Sequence, residues 1–350
     1  MVDNTLSGNS SHEVQLHLWE KAARQQHATA IAHPNIAFIK YWGNEDDDLR
    51  LPANPSLSMN LGSLYTKTTV TFGEKLPGDK LAINHQAVTG PALKRVIASL
   101  DLIRTEANLQ IPARIESESN FPIGSGIASS AAAFAAISVA GAAAAGLRLD
   151  EAALSRLARR GSGSASRSVP AGYCRWDTGT DQTSTASSIA PPEHWGLHDL
   201  VVIVSQEHKA VGSTGGHHLA QTSSLQAARL AGVEKRLQMC QEALLARDIS
   251  AMGPVIEEDA VIMHAVMMSS QPPLYYWNAT TMAIIQATQQ WRGEGLEVYF
   301  TIDAGPNVHL ICEAFQAETI AAAARKIPGV IDVISSEPGG PARLVVSPAA

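Results

Sequence analysis

With 350 residues, 45% of them hydrophobic and 17% charged, the chain can bury a large core and is predicted to form more than one domain. A formal net charge of -7 without a basic stripe argues against a nucleic-acid surface. Cys174, Cys240 and Cys312 lie far apart and match neither a metal pattern nor a disulfide framework. No basic-then-apolar leader opens the sequence, and the longest apolar run, Ala131–Ala145, is too short to span a bilayer, so the expectation is a soluble cytoplasmic protein without a membrane partner.

Residues 1–28 read as a flexible extension: Met1–His12 is polar, and Val14–Gln25 has helical spacing through Leu16 and Trp19. Thr29–Ala32 is the first strand, and Ile36–Tyr41 is an apolar segment that carries a lysine. Leu57–Leu61 and Thr66–Phe72 alternate as strands do, and Lys80–Ile83 with Gln86–Val88 reads as a hairpin about Asn84-His85. Pro91–Asn108 has helical spacing, and Ala113–Glu118 is a further strand. A small-residue loop, Asn120–Ser130, opens into an Ala-rich helix, apolar all round, that Gly146 caps. Asp150 caps a helix over Glu151–Arg160, a second small-residue loop covers Gly161–Ser168, and Tyr173–Trp176 is a strand. Thr178–Pro192, rich in Thr, Ser and Pro, is placed as the boundary between two lobes. Beyond it come a strand at Leu200–Val204 and helices at Ser223–Arg247, Ile249–Met268 and Thr280–Arg292. Strands at Glu297–Thr301 and Val308–Cys312 flank the turn Asp303–Asn307, and a helix Ala317–Lys326 and a strand Leu344–Val346 follow. The class is α+β, without a strict βαβ repeat.

Four segments carry chemistry. In Phe121–Ser130, glycines and small residues let backbone N–H groups approach an anion, with a helix N-terminus behind them. The same pattern also fits a tight turn that packs a helix on a sheet. Gly161–Ser168 offers alternate serines and one arginine to a phosphate or carboxylate, or is a polar linker. Lys40 stands among apolar neighbours, either paired in a site or snorkelling from an edge strand. Asp303 ends an apolar strand, either as a turn residue or as a base presented into a cleft. Glu45–Asp48 reads as a solvated turn, adjacent His217 and His218 point different ways, and Trp195, Trp277 and Trp291 read as packing residues.

In this order, the segments Asn35–Gly43, Leu51–Ser58, Asn120–Ala132, Gly161–Ser168 and Asp303–Asn307 resemble the mevalonate diphosphate decarboxylase family, within the superfamily of galactokinase, homoserine kinase, mevalonate kinase and phosphomevalonate kinase. The resemblance implies a GHMP-kinase-like two-lobed α+β fold: an ATP-binding N-terminal domain over residues 29–192, with an unusual left-handed β-α-β unit, and a C-terminal α/β sandwich over residues 193–350. It implies ATP and Mg²⁺ as cofactors, a small-molecule substrate and a homodimer. Asp303 is then the catalytic aspartate acting on the C3 hydroxyl, Arg167 holds the substrate carboxylate, and Lys40 is the third catalytic group. Tyr41, Asn44, Ser162, Ser164, Ser213, Thr214 and His217 become substrate contacts. Pro122, Gly124, Ser125, Gly126, Ala128, Ser129 and Ser130 become the nucleotide cradle, with Ser129 at the metal.

Two departures bear on the substrate. Asn44, followed by acids, stands where the diphosphate-using members carry lysine, and His217 stands where methionine is expected. Losing a cation weakens the hold on the more highly charged diphosphate. The sequence therefore favours mevalonate 5-phosphate, giving isopentenyl phosphate, over mevalonate 5-diphosphate, giving isopentenyl diphosphate. A mevalonate 3-kinase or another small-molecule kinase of the superfamily ranks below both, and a catalytically inactive scaffold is the reading from outside the enzymes.

Overall fold

The structure, a computed structural model, describes residues 6–122, 129–207 and 211–346. Three main sheets organise these residues. The first has six strands in the order Arg343–Val345, His27–Ala32, Thr66–Phe72, Ala113–Ser119, Lys80–Ile83 and Gln86–Val88. Its neighbours are antiparallel except for Lys80–Ile83, which runs parallel to Ala113–Ser119. The alternation in Thr66–Phe72 is seen in its burial: Thr66, Thr68, Val70 and Phe72 face inward. Asn84 and His85 adopt positive φ, as a tight hairpin turn requires.

Helices cover this sheet. Ser129–Ala144 is buried along most of its length, which explains an apolar pattern with no polar face. Gly141 lets the helix Pro91–Ala107 approach closely, because a Cβ there would stand 2.7 Å from Ile103 Cδ1. Gly146 takes φ +80 beyond the end of the buried helix, and Asp150 accepts a bond from Ala153 N at 2.8 Å to start the next one, Glu151–Gly161.

The second sheet runs Ala186–Ala190, Tyr173–Trp176, Ser56–Asn60 and Asn35–Ile39. The third runs Val298–Thr301, Val308–Glu313, Leu197–Ile203 and Asp332–Ser336. Between them lie the helices Gln226–Ala246 and Ile249–Met268. Ile36, Leu57 and Met59 from one sheet, Val201 and Ile311 from the other, and Leu237 and Ile256 from the helices form one apolar cluster. The two halves of the chain thus share a core, and the site sits where that core opens.

Two expectations are corrected, and one open alternative is decided. The flexible extension contains a helix, Leu6–Gln25, that docks on the first sheet: Ala22 is buried, and Gln15 exchanges two hydrogen bonds with the Leu344 backbone at 3.1 and 3.2 Å. Thr178–Pro192 is not only a connection, because Ala186–Ala190 inside it is a strand paired with Tyr173–Trp176. Gly161–Ser168 is not a linker: Gly163–Ser168 forms a buried 3-10 helix. The closing strand Arg343–Val345 returns to the first sheet beside His27–Ala32.

Candidate active site

The strand Asn35–Ile39 loses its sheet partner at Ile39, and the chain turns through Lys40–Gly43. Side chains of the C-terminal half take over the hydrogen bonds that the sheet would have made. Lys40 N donates to Asp259 Oδ2 at 2.7 Å, and Lys40 O accepts from Arg229 at 2.6 Å and from Asn54 at 2.9 Å. Trp42 O accepts from Gln226 at 3.2 Å and Arg229 at 3.1 Å, and Gly43 N donates to His217 Nδ1 at 3.0 Å. Arg236 Nε holds Asp259 Oδ1 at 2.8 Å. The turn is therefore fixed by five charged or polar side chains, four from the C-terminal half and Asn54, before any substrate arrives.

Lys40 is 1% exposed, and its ammonium meets Asp303 Oδ1 at 2.6 Å. Asp303 follows the strand Val298–Thr301, and its own carbonyl accepts from Gly305 N at 2.7 Å, which closes the turn. Asn307, at the end of that turn, accepts from Val204 N and Ser205 N at 2.8 and 3.1 Å. Burial lowers the basicity of Lys40, with Asp303 opposing. Burial pushes the Asp303 carboxyl up, but the charges of Lys40, His309 and Arg167 outweigh it and hold it below the usual carboxylate range. Asp303 is thus a carboxylate near neutral pH, the form a base needs.

Arg167 projects from the 3-10 helix Gly163–Ser168. Its guanidinium donates to Asn35 Oδ1 at 3.3 and 3.2 Å and to Ser56 Oγ, and lies 5.8 Å from the Trp176 ring centre. Burial brings it down to about 10, with Asp303 opposing, so it stays charged. Gly163 makes room for Tyr41: a Cβ there would stand 2.6 Å from the Tyr41 hydroxyl. The Tyr41 ring stacks on His217 at 4.1 Å and meets Trp176 edge-on at 4.7 Å. Burial, followed by the Arg50 charge, brings His217 down to about 3. His217 is therefore neutral, and because its Nδ1 accepts from Gly43 N, its proton is on Nε2.

These groups line one cleft. Ser130, on the first turn of the helix Ser129–Ala144, also lines it and stands 3.1 Å from Ser162 Oγ. Ser130 and Ser129 border a second, apolar cavity walled by Leu81, Ile83, Val96, Phe134 and Ile137. Among the described residues no cluster of three or more His, Cys, Asp or Glu side chains could hold a metal.

Two family models match the chain: the diphosphomevalonate decarboxylase-like N-terminal domain over residues 32–190, and the mevalonate 5-diphosphate decarboxylase C-terminal domain over residues 199–337. The diphosphomevalonate decarboxylase of Candida albicans is 37% identical over 298 residues, 80% of this chain and 82% of that protein. The chain belongs to the diphosphomevalonate decarboxylase family. The bovine diphosphomevalonate decarboxylase is 33% identical over 324 residues, 86% of this chain and 80% of that one. A solved structure described as MDDEF in complex with MVAPP, AMPPCP and magnesium superimposes with a TM-score of 0.86 at 35% identity, over 92% of this chain and 99% of that one. Mevalonate diphosphate decarboxylase from Staphylococcus aureus gives 0.86 at 34%, over 91% and 98%. The α+β, GHMP-kinase-like fold is that of the family.

The cleft brings together most of the residues that the resemblance nominates: Lys40, Tyr41, Ser130, Ser162, Ser164, Arg167, Ser213, Thr214, His217 and Asp303. Gly124, Ser125, Gly126 and Ala128 lie outside the described residues. Pro122 is half-buried, and Ser129 begins the helix. Among the expected substrate contacts Asn44 is the exception, because it is not one of the cleft's lining residues. Its Oδ1 accepts from the Tyr41 hydroxyl, and its Nδ2 donates to Asp47 at 2.7 Å. The acids after it are turned onto other partners: Asp46 caps Leu49 N at 2.7 Å, and Asp47 meets His218 at 2.7 Å. The cation at this end of the cleft is Arg50, which the sequence reading missed. The preference for a monophosphate rested on Asn44 and His217: Asn44 does not line the cleft, whereas His217 does. Asp259, Arg229 and Arg236 were missed as well. Charges on long helices read as surface residues until the fold buries them.

Proposed function

We propose that this chain catalyses the ATP-dependent decarboxylation of mevalonate 5-diphosphate, giving isopentenyl diphosphate, ADP, phosphate and CO₂. The observation that carries the reading is the Lys40–Asp303 pair at 2.6 Å beside the buried Arg167. The family supports the chemistry, its members named above act on the diphosphate, and the lining residues suit it: Lys40, Arg50 and Arg167 against Asp303 leave an excess of positive charge for a polyanionic substrate.

The two cavities meeting at Ser130 fit ATP: the apolar one suits the adenine base, and the helix N-terminus suits the phosphates. Without a carboxylate cluster, Mg²⁺ suits this site only as an ion carried largely by the phosphates. ATP supplies the phosphoryl group that turns the C3 oxygen into a leaving group. Asp303 takes the proton of the C3 hydroxyl as that oxygen attacks, and Lys40 fixes the carboxylate in position and offsets charge on the C3 oxygen. Arg167 holds the C1 carboxylate in line. When the C3–O bond breaks, the C1–C2 bonding electrons form the alkene, and CO₂ and phosphate leave. Ser162 and Ser164 orient the substrate, and burial of the site excludes water. A homodimer and a cytoplasmic location are part of the proposal, carried by the family resemblance.

The test is the stoichiometry of products from substrate labelled at C1. One CO₂ and one phosphate per ADP are expected. ADP formed with a 3-phosphorylated acid and no CO₂ would identify a kinase, and no ADP with any mevalonate derivative would identify a scaffold.

A further inference from the structure

Arg50 is a cation set at the edge of the cleft with unusual care. Its backbone takes φ +52, a left-handed conformation that costs a non-glycine residue energy. The preceding peptide is fixed on both sides: Leu49 N donates to Asp46 at 2.7 Å, and Leu49 O accepts from the buried Arg159 at 3.1 Å. The Arg50 side chain donates through Nε to Arg160 O at 3.1 Å, which leaves the outer guanidinium nitrogens for other partners. Among the described residues no ion pair includes Arg50, and the acids of its own loop bind elsewhere. A half-buried guanidinium without a carboxylate, lining a cleft, calls for an anion.

Its place in the cleft says which anion. Burial dominates the shifts at Tyr41 and His217, and after burial the Arg50 charge is the largest influence on each. The Arg167 charge instead reaches Asp303 and Tyr41. The contacts give the same order: Lys40 pairs with Asp303, Tyr41 next to it bonds Asn44, and Asn44 lies across from Pro52, in the strand that Arg50 leads into, whereas Arg167 is held on the Asn35 and Ser56 side. The substrate has a short arm from C3 to its carboxylate and a longer arm to its phosphates. With Arg167 on the short arm, Arg50 faces the long one.

We propose that Arg50 grips the distal phosphate of mevalonate 5-diphosphate, supplying from the edge of the Leu51–Pro52 strand the charge that Asn44 lacks, and so sets the preference for a diphosphate over a monophosphate. This assignment rests on the decarboxylase reading and adds the residue that distinguishes its two substrates. The guanidinium is bidentate towards phosphate, whereas the proximal phosphate remains within reach of Ser213, Thr214 and the His217 Nε2–H, which also line the cleft.

The test compares wild type, R50M and R50K on mevalonate 5-diphosphate and mevalonate 5-phosphate, with calorimetric titration of the diphosphate in the absence of ATP. In R50M, kcat/KM for the diphosphate should fall about 10- to 100-fold, carried by KM, as expected for a lost charged hydrogen bond. The value for the monophosphate should fall far less, so the preference collapses by about tenfold or more; R50K should restore part of it. Equal losses on both substrates would show that Arg50 only holds its loop, and unchanged KM for the diphosphate would show that it binds nothing; either overturns the proposal. If wild type releases CO₂ from neither substrate, the decarboxylase reading fails. Calorimetry still reads Arg50 in that case: weaker diphosphate binding by R50M supports the assignment, and equal binding overturns it.

Discussion

The Lys40 ammonium stands 2.6 Å from Asp303 Oδ1, although the two residues are 263 positions apart. The pair joins the turn after Asn35–Ile39, in the second sheet, to the turn after Val298–Thr301, in the third. Neither partner is placed by local sequence, so the shared core of the two halves sets the site.

Replacing the base should stop the chemistry and spare the nucleotide. D303N is expected to lower kcat by at least about 100-fold, the usual contribution of a positioned base, with ATP affinity little changed. K40M leaves the half-buried Asp303 carboxylate without its nearest counter-charge. Stability should fall, by less than the loss of a fully buried pair would cost, and the acid limb of the kcat profile should move to higher pH as the carboxyl becomes easier to protonate. Urea unfolding and a pH–rate series check both.

Asp259 reaches Lys40 through the backbone N–H at 2.7 Å and also supports its positive charge, after Asp303. D259N keeps the shape and removes the charge. Lys40 should then lose its proton more readily, so the alkaline limb of the kcat profile moves to lower pH and kcat falls by about tenfold. A drop in Tm with an unmoved limb would assign Asp259 to stability alone.

His217 and His264 are both neutral in the fold, each brought down to about 3 chiefly by burial. In the unfolded chain each takes up a proton near 6.5. Between those values the unfolded state binds more protons, so stability is full above 6.5 and declines as pH falls towards 3. Tm measured from pH 7 to pH 4 should fall, and H217Q should flatten the fall.

Ala133 lines the apolar cavity assigned to the adenine base. Ala133→Phe fills part of that space. KM for ATP should rise by about tenfold, the effect of about 1.4 kcal/mol of overpacking, while diphosphate affinity in calorimetry stays the same.

Local signals in the sequence found most of the fold. The apolar spacing of Pro91–Ala107, the Asp150 cap and the Asn84-His85 turn each act within a few residues and are seen as predicted. Gly161–Ser168 stayed open between linker and site on composition alone, because Gly and Ser suit both unless the packing of Phe134 against Gly161 and Tyr41 against Gly163 is known. The site was legible where chemistry is unusual for its neighbourhood, as at Lys40. Arg50 was hidden because it looked like an ordinary loop residue, and Asn44 was over-read because sequence position stood in for direction. Only the Asn44 bonds to Tyr41 and Asp47 show that its side chain is engaged there.

The most direct measurement is kcat/KM for mevalonate 5-diphosphate and mevalonate 5-phosphate under the same conditions, with ATP and Mg²⁺ saturating and CO₂ release as the readout. A preference for the diphosphate of about tenfold or more is predicted, the difference one charged contact makes. A higher value for the monophosphate would contradict the account.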